Sequence, residues 1–312
     1  MALMKPESRR SRRGWRVSNM SYRSTLAAAF ALTILAVSAH ADRGSIPFTP
    51  GVKVFEPTQR AMICWNGDEE ILLLTTDLHA SVETKVLEVM PLPAEPTVKK
   101  GDVEVFRRAT DLITRKLRQL APTTRMKDGG GTAPAGEITF HEKIGAHDIS
   151  VAQVMDAAGF VKWVNDYLKK SGVDNPQLPP VMKGLVDEYL GDRFAWFVFD
   201  VVSLDEQPKT NEAIQYRFKT DRLFYPLRIS RTDWGETSVE LLVLTPRLLQ
   251  HFPGLPFRRI ELRHEPVSIT ADELASLNVD MDTLLGHRED MKLRIWRIRG
   301  DLQSFKADLV AR

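Results

Sequence analysis

Between residues 52 and 92 the chain breaks into short apolar runs of strand length, VKVF, RAMICW, EILLLTTDL and TKVLEVMPL, set apart by Pro57, Asn66-Gly67-Asp68 and a polar turn near Ala80-Ser81. No other stretch restricts the fold as far, because runs this short and this rich in strand-forming residues bury themselves as paired strands. They predict successive antiparallel strands. Asn66-Gly67 between two such runs predicts a tight hairpin, since both residue types tolerate the positive φ that hairpin turns require. Residues 71 to 74 are apolar without alternation, which predicts a strand covered on both faces.

Pro91, Pro93 and Pro96 close this region. A helix is expected from 103 to 120: Phe106, Ala109, Ile113, Leu117 and Leu120 recur at steps of three and four, and Asp102 stands at the N-cap position. Arg107, Arg108, Arg115 and Arg118 lie mostly off that stripe, on a solvated face. Residues 122 to 136, which contain Gly129-Gly130-Gly131, read as a flexible loop. No Lys-Ser/Thr pair follows the glycines, so they do not form a phosphate loop.

A strand is expected over 138 to 144 and helices over 157 to 170 and 180 to 190. β structure returns over 194 to 202, 212 to 219, 223 to 229 and 237 to 245, and a helix over 271 to 285 precedes a last strand over 291 to 298. Within 212 to 219, Ile214, Tyr216 and Phe218 alternate with Gln215, Arg217 and Lys219. The run Phe194, Trp196, Phe197, Phe199 places aromatics on both faces of its strand, which predicts a central position. Groups of strands followed by helices define an α+β class, antiparallel sheets with packed helices. The body at 42–312 is expected as a single elaborated domain, or as two lobes joined near 122–136.

Residues 20 to 41, MSYRSTLAAAFALTILAVSAHA, read as a cleavable signal peptide. Arg23 leads into an apolar run over 26 to 37, and Ala39-His40-Ala41 precedes Asp42 in the small-x-small pattern a signal peptidase needs. The expected cleavage site is therefore defined by Ala39, Ala41 and Asp42. Met20 is an alternative start, and Ser11-Arg12-Arg13-Gly14-Trp15 partly matches a twin-arginine export signal.

Removing residues 1 to 41 takes away seven of the 43 Lys+Arg and one of the 41 Asp+Glu, leaving 36 against 40 and a net charge of −4. The remaining body offers no basic warrant for a nucleic-acid partner. Its longest apolar run, 194 to 202, is interrupted by Asp200 and is about half as long as a membrane helix. Cys64 is the single cysteine, so no intramolecular disulfide can form. A soluble periplasmic or secreted protein, with no membrane span in the mature chain, is the expectation.

His141-Glu142 and His147-Asp148 are the most metal-like pairs. A zinc helix would place its second histidine four residues after the first, where this chain has Gly145. On one continuous strand, positions 141 and 147 would stand roughly 20 Å apart. His141 falls with Thr139 and Lys143 on the polar side, as a solvated histidine. Cys64, His79 and Asp77 supply the residue types of a nucleophile triad, yet Cys64 sits between Ile63 and Trp65 in an apolar strand and reads as an inert buried thiol. Glu69-Glu70, Asp187-Glu188 and Asp205-Glu206 read as solvated carboxylates. Arg299-Gly300-Asp301 is accounted for by a strand-terminating turn. No catalytic, cofactor-binding or metal set is assigned.

The order WNG-DEEILLLTTDL, TKVLEVMPLPAEPTVKKG, FVKWVNDYLKKSGV, YLGDRFAWFVFDVV and YRFKTDRLFYPLRIS with ELLVLTP resembles a bacterial domain-of-unknown-function family, the one numbered twenty-three thirty. The likeness runs from about residue 52 to 246. It implies exported or envelope-associated proteins and assigns no catalytic residue. Members of the family often carry a cysteine-glycine motif near the mature start, where this chain has Asp42-Arg43-Gly44, so a haem or disulfide role for such a motif is not available here.

The function expected from all this is an exported envelope protein that binds or scaffolds an unidentified envelope component. The competing expectation is an exported hydrolase assembled from dispersed residues, with His79, His141, His147, His251 and His264 as its candidates. A third, a redox or cofactor carrier exported folded, depends on the twin-arginine signal.

Overall fold

In chain order the first strands are β1 (Gly44–Pro47), β2 (Val54–Phe55), β3 (Gln59–Trp65), β4 (Glu69–Thr76), β5 (His79–Ala80), β6 (Thr84–Leu92) and β7 (Thr97–Lys100), followed by helix α1 (Glu104–Leu120). The middle of the chain forms β8 (His147–Gln153), α2 (Ala157–Lys170), α3 (Met182–Gly191), β9 (Trp196–Leu204), β10 (Glu212–Lys219), β11 (Leu223–Tyr225) and β12 (Glu236–Thr245). The last part forms β13 (Ile260–Leu262), β14 (Val267–Ile269), α4 (Ala271–Leu277), α5 (Val279–Leu285), β15 (Met291–Asp301) and β16 (Leu309–Ala311). The computed structural model describes residues 43–55, 59–76, 78–120, 147–176, 178–207, 212–249 and 251–312. The expected signal peptide with Ala39, Ala41 and Asp42, the expected join at 122–136, the strand expected over 138–144, and Asp77 and His141 lie outside the described residues.

Two sheets face each other. The larger runs β13-β15-β12-β3-β4-β10-β7 with β14 beside β15, and the smaller runs β1-β6-β9-β8. Alternation along β4 shows how the layers arise. Leu72 and Leu74 enter the core between the sheets, where they join Met90, Leu92 and Val198 from the smaller sheet. Ile71 and Leu73 point the other way, into a second core that takes in Phe106 and Ala109 of α1, Leu274 of α4 and Met281 of α5. The outer face of the smaller sheet buries Leu87, Val89, Phe197 and Phe199 against Phe160 and Val164 of α2 and Leu185 and Tyr189 of α3. The stack is therefore helix, sheet, sheet, helix, an α+β architecture in which β4 and β9 are covered on both faces, as their apolar runs predict.

The hairpin at 66–68 forms with a division of labour between its residues. Gly67 alone takes a positive φ, of 117°, while the Asn66 side chain accepts the backbone N–H groups of Asp68 and Glu69, both at 2.9 Å. Asn66 acts as a turn through its side chain and not through left-handed backbone. Helix α1 buries Val105, Phe106, Ala109, Leu112 and Ile113, and Asp102 caps it by accepting the Glu104 N–H at 2.9 Å. Its arginines form the solvated face: Arg107 pairs with Glu104 and Asp111, and Arg108 with Asp102.

Three sequence expectations are corrected. The early strands are not all neighbours: β3 and β4 pair in one sheet, β6 pairs β1 and β9 in the other, and β3 lies parallel to β12. The strand expected over 223–229 ends at Tyr225, because Pro226 has no N–H to donate, and a 3-10 turn follows over Arg228–Thr232. The helix expected over 271–285 is two helices, since Asn278 leaves helical geometry (φ −162°) to cap α5.

Candidate functional site

Of the candidate histidines, the described ones, His79, His147, His251 and His264, do not converge. His147, on β8, lies between the two sheets with 1% of its side chain exposed; its Nδ1 stands 2.6 Å from Asp200 Oδ2 and its Nε2 3.4 Å from Glu212 Oε2. Arg43 pairs with Glu88 in the same layer and stands 3.7 Å from Asp200 Oδ2. Strand register explains the meeting: Glu88 lies opposite Asp200 across β6 and β9, so both carboxylates face the larger sheet. Burial pushes the Glu88 carboxyl up, and Arg43 pulls it back. This nest is closed. None of its charged members borders a described cavity.

His79 is half-buried in β5, His264 is half-buried with Nδ1 2.8 Å from the Glu265 carbonyl oxygen, and His251 is exposed. Cys64 is fully buried, its sulfur 3.8 Å from the Met281 carbonyl oxygen, and burial first, then Glu70, pushes the thiol well above its usual range. A thiol in that state is a poor nucleophile. Among the paired acids one reading is corrected: Glu70 is fully buried, accepts the Phe224 N–H at 2.8 Å and has its carboxyl raised well above normal by burial. Its neighbour Glu69 points outward to Arg217 at 2.7 Å. Arg299-Gly300-Asp301 ends β15 before the 3-10 turn Leu302–Ser304. Among the described residues no group of three or more His, Cys, Asp or Glu could hold a metal ion.

The open site lies elsewhere. A cleft of about 560 Å³ is bounded by the end of α3, the turn between β10 and β11, and the stretch leading into β16. Its inner wall is fixed by Asp308. One oxygen of that carboxylate accepts the Tyr189 hydroxyl at 2.8 Å and the backbone N–H groups of Leu227 and Arg228 at 2.9 and 2.8 Å. The other faces Arg228 Nη2 at 3.4 Å. Arg228 is held in turn by Asp192 at 2.7 Å and lies over the Tyr189 ring, 4.1 Å from its centroid. Burial raises the carboxyl of Asp308 against the pull of Arg228, and raises the Tyr189 phenol with Asp308 adding to it. The result is a rigid guanidinium, nine-tenths buried, at the cleft wall.

The rim carries cations. Arg222 is balanced by Asp221 at 2.8 Å. Arg193, Lys219 and Lys306 line the cleft, are exposed, and form no ion pair among the described residues. Arg193 also holds an unusual backbone position. It ends α3 with φ of 69°, in a turn where the Phe194 N–H reaches the Tyr189 carbonyl at 2.8 Å. Helix α5 ends in the same left-handed conformation on Gly286, φ 73°. Glycine is the usual residue there, and a side chain at such a position costs about 1 kcal/mol. Phe194, partly buried and packed 5.1 Å from Phe224, supplies an apolar floor. Among the described residues no histidine, cysteine or serine borders the cleft. Sequence reasoning missed it; the one local signal was Arg193 standing where a helix end calls for glycine.

A four-layer α+β protein with a charged end cleft is thus the class the fold and site define. The chain belongs to the family described as an uncharacterized protein conserved in bacteria (DUF2330), whose profile matches residues 37–251. No curated protein matches it. Among solved structures, that of baculovirus P35 is 10% identical, with 86% of this chain and 99% of that chain covered and a TM-score of 0.42. The mutated baculovirus P35 after caspase cleavage gives 9%, 82%, 99% and 0.38, and the caspase-8/P35 complex 8%, 82%, 95% and 0.36.

Proposed function

We propose that this chain is an exported envelope protein that works by binding, and that the cleft at the end of α3 is where it binds. The observation that carries the reading is the composition of that cleft: cations over an apolar floor, with no histidine, cysteine or serine on its walls among the described residues. Its acids are engaged, Asp308 and Asp192 with Arg228 and Asp221 with Arg222. The His147–Asp200 pair, which has the right partners for acid-base work, is buried between the two sheets, with 1% and 2% of its side chains exposed. Export is supported by the apolar run over 26 to 37 and the Ala39-His40-Ala41 pattern before Asp42. No described helix is long and apolar enough to cross a membrane.

The test has two arms. N-terminal sequencing of the protein recovered from the periplasm or medium is expected to begin at Asp42; recovery from the cytoplasm with the leader intact overturns export. Purified protein, incubated with peptide, ester and glycan substrates, is expected to turn over none of them; turnover abolished by a single substitution in the cleft overturns the binding reading.

A further inference from the structure

We infer that the cleft takes a small organic anion, a carboxylate or a like acid carried on an apolar body, with the charge held by Arg193, Lys219 and Lys306 and the body laid on Phe194. The inference rests on the reading of this cleft as a binding site and adds the chemistry of its ligand. A volume of about 560 Å³ is that of a small-molecule site rather than of a macromolecular groove.

Charge decides the ligand's sign. Arg228 is satisfied by Asp308 and Asp192 except at its Nε, which is buried and without a partner. Arg193 and Lys306 form no ion pair among the described residues, and Lys219 has only the pull of Glu69 opposite it across β10 and β4, so the five basic side chains that line the cleft outnumber its three carboxylates, although the body from Asp42 onward is acidic as a whole. A cleft with an excess of positive charge concentrates anionic ligands. Arg193 brings one of these cations to the cleft from a left-handed backbone position, a conformation that His287 and Asp290 also take. A glycine would end α3 without strain, as Gly286 ends α5, yet a long cation occupies the position at φ 69° and borders the cleft.

The probe is 1-naphthoate, with the uncharged 1-naphthamide as its match in shape, titrated calorimetrically into the purified mature protein. Naphthoate is expected to bind, and naphthamide to bind at least tenfold more weakly. Arg193→Gly is expected to weaken naphthoate at least tenfold while its Tm stays level or rises, because the variant removes strain. Lys219→Gln and Lys306→Gln are each expected to weaken binding several-fold, and Lys162→Gln, on an exposed face of α2, to leave it unchanged. Equal binding of the two probes, parental affinity in Arg193→Gly, or no naphthoate binding at millimolar concentration overturns the inference. Its failure is separable from that of the wider reading: turnover of a substrate in the cleft defeats the binding function while leaving the anion site standing, and an inert protein that ignores naphthoate defeats the anion site alone.

Discussion

Arg294 shows how far a single side chain can depart from what its type suggests. It lies on β15 facing the core between the sheets, 1% exposed, and burial brings its guanidinium down to about 10. Its Nη1 donates to the Thr245 hydroxyl at 2.8 Å, the Lys292 carbonyl at 3.1 Å and the Val243 carbonyl at 3.5 Å, while Nε and Nη2 have no partner and no carboxylate pairs with it among the described residues. A buried cation without a counter-ion opposes folding. Arg294→Met is therefore expected to raise stability by about 1 kcal/mol, read as a higher urea midpoint at unchanged slope; a loss of similar size would show that its three hydrogen bonds outweigh the desolvation. Glu70 is the matching case of the opposite sign. In sequence it is indistinguishable from Glu69, and only the strand's alternation against a covered face separates a buried acid from a solvated one.

At the scale of elements, the break between α4 and α5 is the instructive one. The apolar period runs unbroken through 271 to 285, so local pattern favours one helix. Asn278 interrupts it by accepting the Met281 N–H at 3.0 Å, and Thr270 with Glu273 forms a capping box at the start of α4. Each short helix thus carries its own cap, and the bend lets Met281 and Leu284 reach the core under the larger sheet. Asn278→Ala is expected to cost about 1 kcal/mol, measured by chemical denaturation. The cost should fall on the hairpin too, because Asn66 Nδ2 donates to the Leu284 carbonyl at 3.2 Å at the end of α5. The elements themselves were largely legible, since period and turn residues mark α1, α2, β4 and β9 closely. Those that shifted did so at residues with a cap or a missing donor, Asn278 and Pro226.

At the scale of the whole molecule, an acid beside the edge strand of the smaller sheet couples folding to pH. Asp233, beside β1, accepts the Thr232 hydroxyl at 2.9 Å and the Ser45 N–H at 3.3 Å, and burial, with a smaller push from Glu88, raises its carboxyl to about 7. Its unfolded value is 3.8. Between about pH 4 and pH 7 the folded chain keeps a proton that the unfolded chain releases, so Asp233 contributes stability below that window and loses it as pH rises through about 7. Urea denaturation across pH 4 to 8 is expected to show this decline in the parent, and a shallower one in Asp233→Asn. Identical slopes would place the titration elsewhere.

The linear chain determined the local decisions: which residues extend, which coil, which runs are covered on both sides, and that Cys64 is a buried thiol. These are read from period and from turn chemistry, which act over a few residues. The tertiary structure alone decided the rest. It sent β6 to a second sheet, laid β3 parallel to β12, gathered Arg43, Glu88, His147 and Asp200 into one closed nest, and left Arg193, Lys219 and Lys306 around an open cleft. Strand partners and side-chain meetings depend on which faces can be buried together across long separations in sequence, and no local pattern carries that energy.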